Sequence, residues 1–584
     1  MVKYNQILRW IMARNTTSTL AGFVLVVGLL TPAVSTVHAQ TQAPEMAPLR
    51  PENETEMPPR RGFIPSRNDL RHLANYSSGK VSADPLPVRF DWRESDMVTS
   101  VKNQSSCGAC YAFATVADFE SKLLIGGDGG FDLSENNAKE CNIQGTACGG
   151  GSYETVANFL SQYGTALESC DPYTPADVAC NNGCTYQQTL LDWRIISADA
   201  VPSTALLKDH IYNRGPVYTA LYTGDGVNDL AFTSEFNSYD GNYTLYYTGD
   251  WTINHAVLIV GWDDNLVHAG GTGGWICKNS WGTSWGGPCG YGAENGYFTI
   301  AYGSASIGMY SSYLFDYQDY DPSGDILYYD EYGWTTQWGY GDPTGWGLCE
   351  FMIPAQVYVT RVEFWSTDIT TDVDVYLYDT FNGSSLSGPL AVSLDNSFSE
   401  AGYHSVALSS PPQIEAGNDI YAVVKFTNAT YGYPLVADQT GPSETATTYI
   451  SLTGGSGTWT DLGSYAGDDV AVRIRTSPTL ALGADDDTPP TPYRWSLSHN
   501  YPNPFNPNTM ISYSLARRSH VTITIYNILG QEVNMLVDEV KSAGEYNVSW
   551  DGADFGGRGV ASGIYFYRLA ADDHTETRKM VLLR

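Results

Sequence analysis

Asn103-Gln104-Ser105-Ser106-Cys107-Gly108-Ala109-Cys110-Tyr111-Ala112-Phe113-Ala114 is the stretch on which the fold reading turns. A polar, glycine-containing turn runs into a segment compatible with a helix, carrying Phe113, Val116, Ala117 and Glu120, so Cys110 is expected at that helix's N-terminus. Exposed amides and the helix dipole favour an anion there, and a thiol must ionise well below its free pKa of about 8.5 to attack a carbonyl. An isolated cysteine in such a place reads first as a buried structural residue. The companion that changes the balance is His255, in Asn254-His255-Ala256-Val257-Leu258-Ile259-Val260-Gly261, 145 residues downstream.

Around this segment the chain is long, at 584 residues, which is more than one core usually serves, so several domains are expected. Tyrosine (41) and glycine (58) are abundant and charged residues are only 16%, a mix that favours β-rich extracellular modules. The formal charge of -33 excludes nucleic acid and anionic membrane surfaces as partners, because the phosphate term would be repulsive. An acidic solvated surface is the plain reading of that charge. A structural calcium ion is the one cofactor-like ligand it admits, although no EF-hand-like loop is visible.

Lys3, Arg9 and Arg14, the apolar run Leu20 to Leu30 and the small-x-small string Val37-His38-Ala39 predict a cleaved export signal over residues 1–39. Residues 40–84, rich in proline and charge and poor in periodicity, read as a short pro-segment or linker, with order beginning near Leu86. Residues 85–315 mix a helical stretch, cysteine-rich loops and β-branched runs and read as an α+β domain. Residues 316–477 carry short alternating strands such as Val373-Asp374-Val375-Tyr376-Leu377-Tyr378 and read as a β-sandwich. A linker over 478–492 then leads to a third, all-β domain over 493–584.

The string Cys107-Gly108-Ala109-Cys110-Tyr111, with Phe90-Asp91-Trp92-Arg93, Leu133-Ser134-Glu135, Cys148-Gly149-Gly150-Gly151 and Lys278-Asn279-Ser280-Trp281-Gly282, resembles the papain-like cysteine peptidases from about Leu86 to Ile300. The resemblance implies a two-lobed peptidase domain with Cys110 as nucleophile, His255 as its acid/base partner and Asn279 orienting the imidazole. It also implies that Gln104 donates to the oxyanion together with the Cys110 N–H. Trp281 would shield the Asn–His bond, Trp285 would line the leaving-group side, and the bare backbones of Gly150 and Gly151 would pair with an extended substrate. Asn254 and Ala256 would flank the second specificity subsite. The family's disulfides carry over as Cys107–Cys148 and Cys141–Cys180, with Cys170–Cys184 and Cys289–Cys349 as guesses and Cys277 left as a free thiol.

This chain departs from the family in three ways. Tyr111 stands where tryptophan is usual. Asn279 follows His255 by 24 residues, with the extra Asp263–Gly274 segment expected as a hairpin loop. The pro-segment is short, and Gly62-Phe63-Ile64-Pro65-Ser66-Arg67-Asn68-Asp69-Leu70 either lies in the cleft or is a plain linker.

Glu400-Ala401-Gly402-Tyr403-His404-Ser405-Val406 and Tyr421-Ala422-Val423-Val424-Lys425-Phe426 resemble a lectin-like sandwich, which brings in carbohydrate as a partner through Trp334, Trp338 and Trp346. Tyr501-Pro502-Asn503-Pro504-Phe505-Asn506-Pro507 and Gly563-Ile564-Tyr565-Phe566-Tyr567-Arg568-Leu569 resemble a type IX secretion sorting domain, implying the type IX machinery as a partner and a secreted or surface location reached through the periplasm. The expectation is a secreted endopeptidase acting on protein or peptide substrates without a cofactor. The alternative is an inactive papain fold serving as a surface adhesin.

Overall fold

Helix α1 spans Cys110–Gly126 in the computed structural model of the chain, and every residue from Cys110 to Leu123 is buried. Its sequence has small or apolar residues on all sides, which is what a helix enclosed by its domain needs. Gly127 ends it with a φ of 87° and an N–H bonded back to the Leu123 and Leu124 carbonyls. The structure describes residues 42–50, 62–73, 85–249, 252–455, 457–480 and most of 496–583. The expected export signal lies outside them.

One face of α1 packs on the helices Glu135–Glu140 and Tyr153–Gln162, forming the first lobe. The second lobe is a sheet whose strands Met309–Asp319, Val217–Leu221, His255–His268, Gly271–Lys278 and Tyr297–Ala301 lie side by side in that order. The Asp263–Gly274 insertion is a hairpin that extends the central strand pair, with Val267 opposite Thr272 and His268 opposite Gly271, and it leaves Leu258 opposite Lys278. The extra residues therefore lengthen the ribbon without displacing Asn279 from the end of its strand.

The sequence reading separates the peptidase and sandwich domains near residue 316, whereas the structure runs a single sheet through both. Strand Gln188–Ser197 pairs on one edge with Met309–Asp319 and on the other with Gly402–Ala407, where Gly402 faces Arg194 and Tyr403 faces Trp193. A Cβ at Gly402 would stand 2.2 Å from the Trp193 carbonyl oxygen, so this junction requires glycine. The sheet continues through Val357–Ser366 and Val472–Ser477. A second sheet of six strands, built around Thr371–Phe381, Asp419–Thr427 and Thr344–Met352, closes the sandwich over Phe364, Val375, Val424 and Ile474.

Buried charge ties the two regions together. Arg473 binds Asp330 at 2.7 Å and reaches Asn158 Oδ1 at 2.7 Å and Ser161 Oγ at 3.1 Å in the first lobe, all four being buried. His210 Nε2 lies 2.6 Å from Glu400 across the same junction. A buried pair of this kind is costly to break, because either partner left alone is an uncompensated charge.

Order does not begin near Leu86. Strand Glu45–Met46 adds to Thr336–Gly339 of the sandwich region, with Met46 opposite Trp338. Residues 62–73 bury Phe63, Leu70 and Leu73 in the first-lobe core together with Trp334, Trp365 and Val436. The C-terminal domain is a sandwich of three- and four-stranded sheets around Ile511, Trp550, Tyr567 and Leu569. Among the described residues no helix is long and apolar enough to cross a membrane.

Candidate active site

Cys110 is the first residue of α1 and is fully buried under the cleft surface. The turn before it is held by the Cys107–Cys148 disulfide, which joins it to the loop that carries Gly150 and Gly151. The Ala256 N–H points at Cys110 Sγ, 3.4 Å away, so the start of strand His255–His268 lies against the helix terminus. His255 opens that strand and Asn279 follows the neighbouring one.

Asn279 Oδ1 accepts from His255 Nε2 at 2.8 Å and from the Ser280 N–H at 2.9 Å. The backbone N–H fixes which end of the amide is oxygen, so Nε2 must be the protonated nitrogen. Nδ1 is then the ring atom able to take a proton. The Trp281 ring centre lies 5.2 Å from that of His255, and Trp281 is in turn packed by Phe236 and Trp285. Excluding water from a hydrogen bond strengthens it.

Gln104 is buried, its side-chain N–H donating to the Cys107 carbonyl at 2.9 Å and its oxygen accepting from Ser280 Oγ. One hydrogen of the same NH2 group is left for a further acceptor. Beneath it lies a charged cluster that the sequence reading missed. Lys102 Nζ is 2.9 Å from Glu120 of α1 and 3.0 Å from Glu135, and Glu120 also accepts the Leu133 N–H. The signal was present, since Lys102 precedes Gln104 by two residues and Glu120 interrupts an apolar helix.

The other expected site residues fall in different places. A Cβ on Gly151 would meet the Tyr111 ring at 2.7 Å, and Gly150 has a φ of +115°, so both positions need glycine. Gly151 N–H donates to the Gly62 carbonyl at 2.9 Å, and its own carbonyl accepts from Ile64 N–H at 2.8 Å. Residues 62–64 thus run along this edge, in the parallel sense. Asn254 faces them through its carbonyl, 3.5 Å from Phe63 N, while its side chain is bonded to Thr223 and Gly224. Ala256 lies in the same apolar cluster as Phe63. Trp285 is buried behind Trp281 with its indole N–H on the Phe236 carbonyl, so it backs the wall rather than lining the cleft.

Cys141–Cys180 and Cys170–Cys184 are the other two disulfides. The guessed Cys289–Cys349 bond is not formed. Cys349 is buried in the sandwich core with its thiol on the Val470 carbonyl, and Cys289 lies beside Tyr239, in the peptidase region. Both are free, as is the buried Cys277. Trp334 and Trp338 are likewise buried at 6% exposure, so of the three expected sugar-facing tryptophans only Trp346 presents a surface. For calcium, the described residues gather Asp372, Asp374 and Asp395, but Asp374 is already paired with Lys425 at 2.9 Å.

Three family models match the chain in succession: papain family cysteine protease over residues 86–316, lectin-like domain over 326–474 and secretion system C-terminal sorting domain over 499–583. Residues 86–316 are a papain-family cysteine protease domain. Relatives of this papain-family domain include a viral cathepsin of Epiphyas postvittana nucleopolyhedrovirus, 33% identical over 219 residues, 37% of this chain and 59% of that one. A cathepsin L-like proteinase of Fasciola hepatica is 33% identical over 221 residues, 37% of this chain and 60% of that one. The chain thus spans about three fifths of the length of the curated relatives it matches. The crystal structure of the cysteine protease and lectin-like domains of Cwp84, a surface layer associated protein of Clostridium difficile, superposes with a TM-score of 0.60 at 18% identity, over 76% of this chain and all of that one. That likeness extends the shared fold from the papain-family domain into the lectin-like one.

Proposed function

We propose that this chain is a secreted cysteine endopeptidase in which Cys110, His255 and Asn279 carry the chemistry. The observation that supports it most is the Asn279-oriented His255 beside a cysteine at a helix N-terminus. His255 Nδ1 takes the Cys110 proton, and the thiolate attacks the substrate carbonyl carbon. The resulting oxyanion is met by the Cys110 N–H and the free hydrogen of the Gln104 amide. Collapse breaks the C–N bond as Nδ1–H protonates the leaving amine, and His255 then deprotonates water to release the acyl group from sulfur. Asn279 holds the ring in one orientation throughout.

In the chain as synthesised, residues 62–64 occupy the substrate edge. The Gly62 carbonyl is engaged by Gly151 rather than presented to Cys110, and this accounts for a latent form made with a short pro-segment. The sorting-domain match supports export to the exterior or the cell surface, and the sequence of residues 1–39 supports passage through the periplasm on the way. A second role, carbohydrate binding, is favoured by the outer face of the six-stranded sheet. There Trp346, Tyr376 and Tyr378 form a run of near-parallel rings, with Lys425 Nζ 5.9 Å from the centre of the Trp346 ring.

The reading is tested by incubating unfolded protein with the reduced chain after removal of the residues before 85, with and without the thiol-directed epoxide E-64, beside Cys110→Ala. Cleavage that E-64 blocks and Cys110→Ala lacks is expected. No cleavage by the processed chain would refute the peptidase and favour an adhesin.

A further inference from the structure

A basic side chain of the pro-segment is seated in a built site of the peptidase region. Arg50 forms an ion pair with Asp199 through one terminal nitrogen and donates to the Tyr310 hydroxyl through the other, and its guanidinium carbon lies 5.4 Å from the centre of the Tyr310 ring. Both charged side chains are nearly buried, at 10% and 12% exposure. The Tyr310 hydroxyl also donates to Asp199 Oδ1 at 2.6 Å, so carboxylate and phenol are joined to each other as well as to Arg50. Tyr310 holds a φ of +50°, which is uncommon for a bulky residue and aims its ring into this corner.

The corner adjoins the substrate edge. The Tyr310 ring also packs on Phe63, with centres 5.3 Å apart, and Phe63 is the residue bridged to Gly151. Arg50 is brought there by a short antiparallel contact in which its N–H donates to the Arg67 carbonyl at 3.0 Å and Leu49 lies opposite Asn68. A second carboxylate, Glu154, lies on the same side. It is bonded to Ser66, and its pKa is raised to about 7 by burial, with Ser66 and the charge of Arg50 opposing. Asp199 Oδ2 and Arg50 Nε have no hydrogen-bond partner among the described residues, so the fork of the guanidinium is only half used.

We propose that Asp199 and Tyr310, with Glu154 beside them, form a subsite for an arginine side chain of the substrate, which Arg50 fills in the latent chain. The site suits a guanidinium better than an ammonium, since it offers two acceptors in fork geometry and a ring face, and a planar cation can use all three. A substrate arginine, not bound to the path that residues 49–50 must follow, can engage both Asp199 oxygens. The subsite belongs to the side of the cleft reached beyond Gly151, so the preferred arginine lies two to four residues before the scissile bond. This rests on the peptidase reading for its role, though not for the binding itself.

The chain with the residues before 85 removed is given fluorogenic peptides in which Arg, Gln or Glu is placed in turn at the second, third and fourth positions before the scissile bond. At one position Arg should exceed Gln in kcat/KM about tenfold to hundredfold, the worth of one or two charge-assisted hydrogen bonds, and Glu should be poorest. In Asp199→Asn the Arg/Gln ratio should fall toward one. Equal rates for Arg and Gln at all three positions, or a preference that survives in Asp199→Asn, would overturn the proposal and leave Asp199 as an anchor of the pro-segment alone. Calorimetric binding of the same peptides to processed Cys110→Ala gives a readout that needs no hydrolysis. Tighter binding of the Arg peptide that Asp199→Asn abolishes upholds the subsite even if the chain cleaves nothing, and binding indifferent to Arg overturns it. Thermal unfolding of Asp199→Asn establishes that the variant compared is folded.

Discussion

If the docked pro-segment keeps the chain latent, as proposed, Gly62 is the point at which that latency is most easily broken without touching Cys110, His255 or Asn279. Its φ is +99°, and a Cβ built on it would stand 2.0 Å from the carbonyl oxygen of Gly108 and 2.2 Å from its carbon, both backbone atoms in the turn fixed by the Cys107–Cys148 bond. A side chain there incurs about 1–2 kcal/mol for the left-handed conformation and about 1–3 kcal/mol for overpacking against a wall that cannot rotate away. Gly62→Val should therefore lose about 2–5 kcal/mol of pro-segment docking, shifting the closed-to-open ratio by about 30-fold to a few thousandfold. The assay is the rate at which a small thiol-directed reagent modifies Cys110 in the unprocessed chain, read by mass spectrometry, with peptide hydrolysis alongside. Gly129→Ala is the control, since Gly129 shares a φ of +96° but has open space around it. Modification of Cys110 in Gly62→Val at the wild-type rate would refute the docking of residues 62–64 along Gly151 and Gly108 as the cause of latency.

Two further outcomes are expected. At the junction of the peptidase and lectin-like regions, burial acts to raise the Glu400 carboxyl, but the hydrogen bond and charge of His210 outweigh it and hold it at about 2, while Glu400 in turn outweighs burial and raises His210. The His210 contribution is thus full below about pH 6.5 and fades as pH rises through its higher folded pKa, and the Glu400 contribution is present above about 4.5 and fades as pH falls toward 2. His404, pushed down to about 4 by burial and then by Arg194, costs stability as pH falls from 6.5 to 4, below the range in which the His210 contribution changes. Glu400→Gln removes the favourable partner, so its unfolding midpoint should drop more steeply than that of the wild type between pH 7 and 5, and parallel curves would exclude the pair as a contributor. On the sandwich, Trp346→Ala should weaken retention on polysaccharide columns by about tenfold if its ring stacks on sugar, in line with about 1–1.5 kcal/mol for a lost aromatic contact; unchanged retention would assign the ring run to packing alone.

The sequence disclosed the site where each residue sits in a local string with its own chemistry. Cys110 is marked by the turn-to-helix change, Asn279 by the string Lys278-Asn279-Ser280-Trp281-Gly282 that resembles the papain family's, and the Asp263–Gly274 hairpin by its turn residues, although its strands pair with register shifts between Ile259 and Gly261 and between Asp263 and Val267. What stayed hidden depends on pairings between distant backbones. Nothing in Gly402-Tyr403 marks it as the partner of Trp193-Arg194, because a sheet edge is completed by register and shape rather than by a motif. Asp330, Arg473, Asn158 and Ser161 are ordinary polar residues until that pairing brings them together. Cys349 lacks its expected partner for a related reason: once Cys110 and Cys277 are set aside, the four cysteines left after the two better-defined bonds invite pairing, while burial alone suffices to keep a thiol in a sandwich core.

The pro-segment shows the same limit from the other side. Phe63, Leu70 and Leu73 have neither helical nor strand spacing, and a stretch of this composition reads as linker because periodicity reports only elements that build their own face. A segment laid onto surfaces that others have built needs only a few correctly placed anchors. Phe63 takes the pocket beside Gly151, Asn68 donates to the Trp334 carbonyl at 2.9 Å, and His72 stacks on Tyr431 with ring centres 3.6 Å apart. The first of these anchors is in the peptidase cleft and the other two are on the lectin-like region. Because one continuous sheet holds those two regions in fixed relation, the spacing of the anchors along the segment matches a surface that neither region would present alone. On the proposed reading, latency would be a property of the joined pair, and loosening the junction, as in Glu400→Gln, should weaken the hold of residues 62–73 as well as the stability of the fold.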